Sequence, residues 1–182
     1  MLRFSGHIFK LFLSTLLITS CVDKKKEIDI SEVNLELKIS RLDKELFANN
    51  ETMQTKIPKL AQQYGEFFAR YTEDMLNLGA VGDPALPAAY KQFVYDADIS
   101  TVAKNVNEEY PDFASESLSL TNGFKRYSIL FPNRIIPEII TIISGFTYKI
   151  AATEKTLAIG LDMYLGKNYP YYGSVQFPAY RK

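Results

Sequence analysis

At 182 residues, with 47% hydrophobic and 23% charged side chains, the chain has a globular composition rather than a disordered or collagen-like one. Lys plus Arg and Asp plus Glu number 21 each, so there is no basic excess of the kind that nucleic acid attracts. The one cysteine, Cys21, and the one histidine, His7, both fall within the first 21 residues.

Residues 1–20 read as a signal peptide. Arg3 and Lys10 supply positive charge, and Leu11 to Ile18 is an apolar stretch too short for a span, which needs about 20 apolar residues. Leu17-Ile18-Thr19-Ser20-Cys21 resembles the lipobox of bacterial lipoproteins, which would make Cys21 a lipidated amino terminus. The competing readings are an ordinary signal peptide with an incidental cysteine, or a buried cytosolic thiol. The cysteine stands where the apolar run gives way to Val22-Asp23-Lys24-Lys25-Lys26-Glu27, which favours lipidation. Acylation by several chains, palmitate among them, gives stable anchoring without a span. Cleavage removes two bases and no acid, leaving 19 basic and 21 acidic residues in 162. Residues 21–32 then form a lipidated, charged tether, and residues 33–182 a single domain.

In that domain, Val33, Leu35, Leu37 and Ile39 alternate with polar residues, which predicts a strand over 33–40. Leu42 to Phe47 follows as a helical turn with Asp43 a possible cap. Ile57, Leu60, Ala61, Tyr64, Phe67, Phe68, Tyr71, Met75 and Leu78 recur at threes and fours, the stripe of an amphipathic helix ending at Gly79. Pro58 suits its first turn, and Gly65 is a candidate bend. A second helix is expected over 88–95. A third opens at the cap Asp98-Ile99-Ser100-Thr101 and stops at Pro111, and a fourth from Asp112 turns Phe113, Leu120, Phe124 and Tyr127 inward. From Ile135 on, short β-branched runs over 135–143, 146–152 and 156–161, separated by turn residues, predict an antiparallel meander. The expected class is α+β, helices packed on a small antiparallel sheet.

A mature chain without histidine or free thiol forms no Ser-His-Asp or Cys-His site and no His-ligated zinc site. Asp96, Asp98 and Ser100 have the opening spacing of a calcium loop, but Thr101 stands where the turn needs Gly, and helix capping explains them better. Asp162 lies amid apolar neighbours and needs a partner if buried. It is read as a structural acid, capping a turn or pairing with Arg134 or Arg126, in preference to a catalytic acid with a raised pKa. Glu138 and Glu154 could join it as paired carboxylates in a hydrolase, and the five aromatics of Tyr169 to Tyr180 could stack on sugar or peptide or pack under protein. No catalytic residue, metal ligand or cofactor is assigned.

Leu42-Asp43-Lys44-Glu45-Leu46-Phe47, Phe131-Pro132-Asn133, Ile143-Ser144-Gly145-Phe146, Ile159-Gly160-Leu161-Asp162-Met163-Tyr164-Leu165-Gly166 and Phe177-Pro178-Ala179-Tyr180, in this order after a lipobox, resemble the gliding-motility lipoprotein GldB family of the Bacteroidota. The resemblance implies a cell-envelope lipoprotein of the gliding apparatus, associated with type IX secretion, and implies no particular reaction; together with Cys21 and the lack of a mature histidine it leads to the expectation of a non-enzymatic protein. Its partners would be membrane lipid, reached through Cys21, and other envelope proteins, with the outer membrane favoured over the inner and no nucleic acid. It also implies a distant likeness to zincin-like peptidases, without their metal-binding helix. Members continue past Phe177 to Tyr180, so the resemblance implies a domain incomplete at its C-terminal end.

Overall fold

The computed structural model describes residues 28–174. Residues 1–20, expected to be a signal peptide, and Cys21, Lys24 to Lys26 and the aromatics Phe177 and Tyr180 lie outside the described residues. The class is α+β, as the sequence predicts. The sheet has four strands, β1 (Ile39–Arg41), β2 (Glu138–Ile142), β3 (Ile150–Ala152) and β4 (Thr156–Gly160), in the order β1-β2-β4-β3.

The sheet is mixed, which corrects the antiparallel expectation. β1 runs parallel to β2 with Ile39 opposite Ile139, β2 runs parallel to β4 with Glu138 opposite Thr156, and only β3 and β4 are antiparallel. After β2 the chain turns through Gly145 and Phe146, both at positive φ, and loops out to β3. It then returns as β4 between β3 and β2. The near-continuous Ile run of β2 carries that information, since a strand covered on both faces is apolar throughout rather than alternating.

The strand expected over 33–40 pairs only at its end. Val33, Leu35, Leu37 and Ile39 are half-buried and the residues between them mostly exposed, so the alternation is present. The register sets Leu37 against Pro137, which has no N–H to donate, and the ladder stops there.

One face of the sheet, with Ile140, Ile142 and Ala158, is covered by α1 (Leu42–Phe47), α2 (Met53–Arg70) and α3 (Leu86–Val94). Here Leu42, Leu46, Phe68, Tyr71 and Tyr90 are wholly buried. Each such side chain contributes about 1.5–3 kcal/mol by leaving water. The aromatic stripe is core, as its spacing predicts, and its hydroxyls are all engaged. Tyr71 donates to the Ile143 carbonyl at 2.7 Å, and Tyr90 lies 2.8 Å from Thr72 Oγ1, which itself donates to the Phe68 carbonyl. Burial pushes both phenols well above their ordinary pKa. Lys56 is also buried. Its ammonium donates to the Leu46 and Ala48 carbonyls at the end of α1, and burial pushes its pKa down.

Helix α2 begins at Met53, four residues before the expected start, so Pro58 sits past the first turn. Gly65 splits the helix at φ 52° and ψ −127°, a backbone region closed to side-chain-bearing residues. The last turn, Tyr71–Met75, widens to a π-helix that carries the stripe round to Met75 and Leu76.

The opposite face holds Val102 and Val106 of α4 (Ala97–Glu109), with Phe113, Ile143, Phe146, Leu161 and Met163. Asp96, not Asp98, caps α4, accepting from the amides of Asp98 and Ile99 at 3.0 Å. Helix α5 (Ala114–Leu130) departs from expectation. Phe113 is buried, but α5 itself has no fully buried residue, and Leu120, Phe124 and Tyr127 are half-covered. The last described elements are a 3-10 turn, Leu161–Met163, and the short helix α6 (Tyr171–Ser174).

Gly65→Ala should cost about 1–2 kcal/mol in urea unfolding, because Ala at that φ and ψ is strained although its Cβ meets nothing within 4 Å. A gain in stability would show that α2 can straighten.

Candidate functional site

Asp162 has no exposed surface. Its Oδ1 accepts from the Ser144 amide at 3.1 Å, its Oδ2 from the Phe146 amide at 2.6 Å, and the Ser144 hydroxyl lies 3.0 Å from Oδ2. The carboxylate therefore knots the chain after β4 to the turn after β2. That turn needs the knot: Gly145 and Phe146 stand at φ 65° and 63°, the second a costly value for an aromatic residue. Ser144 Oγ in turn accepts from the amides of Thr147 and Tyr148 at 3.2 and 3.1 Å. Gly160 lies against the same knot, and a Cβ there would stand 2.1 Å from the Tyr148 carbonyl oxygen.

Asp162 is buried, and its partners differ from the arginines that the sequence suggests. Neither Arg134 nor Arg126 reaches it, and three donors from Ser144 and Phe146 serve in their place. Burial raises its pKa above the ordinary 3.8, against the lowering effect of those hydrogen bonds.

The other two carboxylates do not converge on it. Glu138 begins β2, where it accepts from Lys38 at 2.9 Å and Ser40 at 2.8 Å. Glu154 lies in the exposed turn just before β4, at the same end of the sheet. Asp162 follows Gly160, which is paired with Ile142 at the far end. Four strand residues separate the ends, about 13 Å at roughly 3.3 Å per residue, which exceeds the spacing of paired catalytic carboxylates. Among the described residues no group of three or more His, Cys, Asp or Glu is placed to hold a metal ion.

The aromatics that the structure describes are packing residues. Tyr169, Tyr171 and Tyr172 gather round Phe146 with ring centroids 6.4, 6.3 and 5.8 Å away. Tyr172 donates to the Asp162 carbonyl at 2.8 Å and accepts from the Leu165 amide, so the terminal segment is fastened to the knot.

A second polar cluster was not foreseen. Asp43 sits inside α1, where Arg41 grips its carboxylate through Nε at 3.0 Å and Nη2 at 2.8 Å, and Thr141 of β2 donates to it from below. Arg41 Nη1 also donates to the Tyr110 carbonyl, and the guanidinium stands 5.2 Å from the centre of the Phe113 ring. One side chain thus fastens β1 to α1 and to the end of α4. Asp43 is therefore an ion-pair partner and not the helix cap expected from the sequence, and the signal that points to the pair is Arg41 two residues before it.

Among the described residues, a mainly apolar groove of about 670 Å³ lies between α5 and the β3–β4 edge, lined by Leu120, Phe124, Tyr127, Ile150 and Ile159 among others. Two family-like motifs, Ile143 to Phe146 and Ile159 to Gly166, are the two halves of the Asp162 knot. The sequence model of gliding motility protein GldB matches residues 23–182, nearly the whole chain.

The chain belongs to the GldB family. This is a family of gliding-motility lipoproteins. No curated protein and no solved structure matches the chain. Among the described residues no helix is long and apolar enough to cross a membrane. Of the residues that carry the resemblance, Leu42 and Leu46 lie in the core, Asp43 in the ion pair, and Gly160 and Asp162 in the knot.

Gly160→Ala should lower unfolding free energy by about 3 kcal/mol or more, since backbone must move to admit the methyl group. Asp162→Ala should cost about 3 kcal/mol by stranding buried donors. The carboxyl's raised pKa means that its protonated form stabilises the fold fully below pH 3.8, and that this contribution is lost as pH climbs through the native pKa. The stability difference between wild type and Asp162→Asn should therefore shrink from pH 3.8 upward. A difference that grows with pH would reverse the assignment.

Proposed function

We propose that the chain is a non-catalytic, lipid-anchored component of the gliding apparatus, held at the envelope through acylated Cys21 and working with type IX secretion proteins by protein contact. The family match over residues 23–182 carries this reading. The chemistry agrees with it: the acid in the most distinctive motif is sealed from solvent and its oxygens are engaged by the chain's own amides. A buried carboxylate with fixed donors is suited to holding two segments together, and a substrate would have to break that knot to reach it. Outer-membrane anchoring is the favoured placement.

The alternative, a carboxylate-dependent hydrolase or carbohydrate-binding lipoprotein, needs Glu138, Glu154 and Asp162 to act together. The sheet register sets the first two at one end of β2 and β4 and the third at the other.

Three outcomes are expected. A fatty-acid probe should label the wild-type protein and leave Cys21→Ser unlabelled; equal labelling would refute the anchor. Cells lacking the gene should fail to spread, and unimpaired spreading would remove the motility role. A Glu138→Gln/Glu154→Gln double variant should restore spreading to that strain at the parental rate, whereas no rescue by a stably produced variant would favour the hydrolase.

A further inference from the structure

Ile129 to Ile135 are seven consecutive exposed residues at the end of α5 and the loop into β2. Four are large and apolar, with exposures of 43% for Ile129, 58% for Leu130, 49% for Phe131 and 54% for Ile135. Scattered exposed hydrophobes need no explanation, but four within seven residues form a patch that water disfavours. The backbone holds them out: the Phe131 amide closes α5 on the Tyr127 carbonyl at 2.8 Å, and the Arg134 amide turns back to the Phe131 carbonyl at 3.0 Å.

Within the segment that carries this patch the charge has one sign, and the acid that follows it, Glu138, is paired with Lys38. From Ser117 to Pro137 the sequence contains Lys125, Arg126 and Arg134 and no acid, in a chain whose mature form carries two more acids than bases. The Arg134 side chain is exposed, and Lys125 and Arg126 are half-buried just behind the apolar residues. Apolar side chains flanked by Lys and Arg are the pattern of a segment that seats in the headgroup region of an anionic membrane.

Topology places the patch beside the tether. Because β1 and β2 are parallel and Ile39 is opposite Ile139, the chain entering β1 arrives at the same end of the sheet as the loop entering β2. Lys38 and Glu138 mark that end with their ion pair, and the Glu154-Lys155 turn lies there too, its charges offsetting. Cys21 is 17 residues before Lys38, a reach of about 60 Å at most. The acids on this approach are Asp23, Glu27, Asp29 and Glu32 of the tether and Glu36 just before β1, with Lys24 to Lys26 among them, and none lies within Ile129–Ile135.

We propose that Ile129–Ile135, with Lys125, Arg126 and Arg134, form a wedge that seats in an anionic phospholipid surface and fixes the orientation of the domain on the membrane. The proposal rests on the lipid-anchor reading of Cys21. The anchor alone confines the protein to a surface; the wedge adds a second contact at the same end of the sheet and turns the opposite end, with the Ser144–Phe146 turn, outward.

The chain has no tryptophan, so a single one reports its own surroundings. The lipidated protein, purified from membranes, would be reconstituted in vesicles of phosphatidylethanolamine and phosphatidylglycerol with brominated acyl chains. Phe131→Trp is the reporter, Leu130→Trp a second one should the first not fold, and Tyr95→Trp, exposed at the end of α3, the control. Bromine should quench the Phe131→Trp emission at least about threefold more than the Tyr95→Trp emission. Equal, weak quenching of both would overturn the proposal. Blue-shifted emission from Phe131→Trp without quenching would also overturn it, and would show that protein covers the patch. Failure of the anchor is read separately, as protein that does not float with the vesicles in high salt. Protein that neither floats nor is quenched refutes both ideas.

Discussion

A carboxylate without solvent contact persists only where donors come to it, and in this molecule the donors come from a single turn. Asp162 draws in the amides of Ser144 and Phe146 and the Ser144 hydroxyl, and the surrounding geometry follows from that demand. To present both amides, the turn takes Gly145 and Phe146 into the left-handed region. To let the two segments meet, residue 160 has to lack a side chain. Once the turn is fixed, the Ile143 carbonyl faces Tyr71 across the sheet, and the Asp162 carbonyl is presented to Tyr172. One buried carboxyl group thereby coordinates the second helix, the last strand and the terminal aromatic cluster. Among the described residues, no buried side-chain nitrogen or oxygen is left without a partner. That completeness is what makes such a network stabilising, since a half-satisfied one is worse than an apolar core.

The Arg41–Asp43 pair does comparable work at the other polar junction. Its two groups are nearly buried, at 16% and 4% exposure, and held in bidentate geometry, so it differs in kind from the exposed Arg70–Glu66 and Lys104–Glu108 pairs. Between these junctions the sheet is packed on both sides, by aromatic residues of α2 and α3 on one face and by smaller aliphatic residues of α4 on the other. Helix α5 stands apart from this scheme. It leaves an apolar groove on one flank and an apolar, basic tip at its end, and these are the surfaces from which outward contacts are most readily made.

Local signals in the sequence carried local structure well. The aromatic stripe from Ile57 to Met75, the bend at Gly65 and the stop before Pro111 depend on neighbours three or four residues away, and they hold. Partnership between distant segments was much less legible. The alternation of Val33 to Ile39 announces an extended chain, but its pairing is cut short by Pro137, about a hundred residues on. The β-branched runs announce strands, but the direction in which they pair depends on the turn at Ser144–Phe146, whose shape depends on Asp162. The burial of Asp162 was legible from its apolar neighbours, and its donors were not, because they are backbone amides that no side-chain identity betrays. Asp43 was misread for a related reason: a carboxylate near a helix start suits a cap or an ion pair equally, and Arg41 two residues away decided between them.

The parallel pairing of β1 with β2 also sets the order of events as the chain is made. Ile39 and its partner Ile139 are 100 residues apart, so the first strand has nothing to pair with until most of the chain has emerged. At synthesis rates of about 5–20 residues per second, that wait lasts roughly 5–20 s. Helices α2, α3 and α4 depend on local contacts and can form meanwhile, but the sheet that joins the two cores is unavailable, and closure of so long a loop is intrinsically slow. A polypeptide delivered across a membrane amino end first keeps its sheet open over that interval, because β1 has no partner until residue 139 has followed.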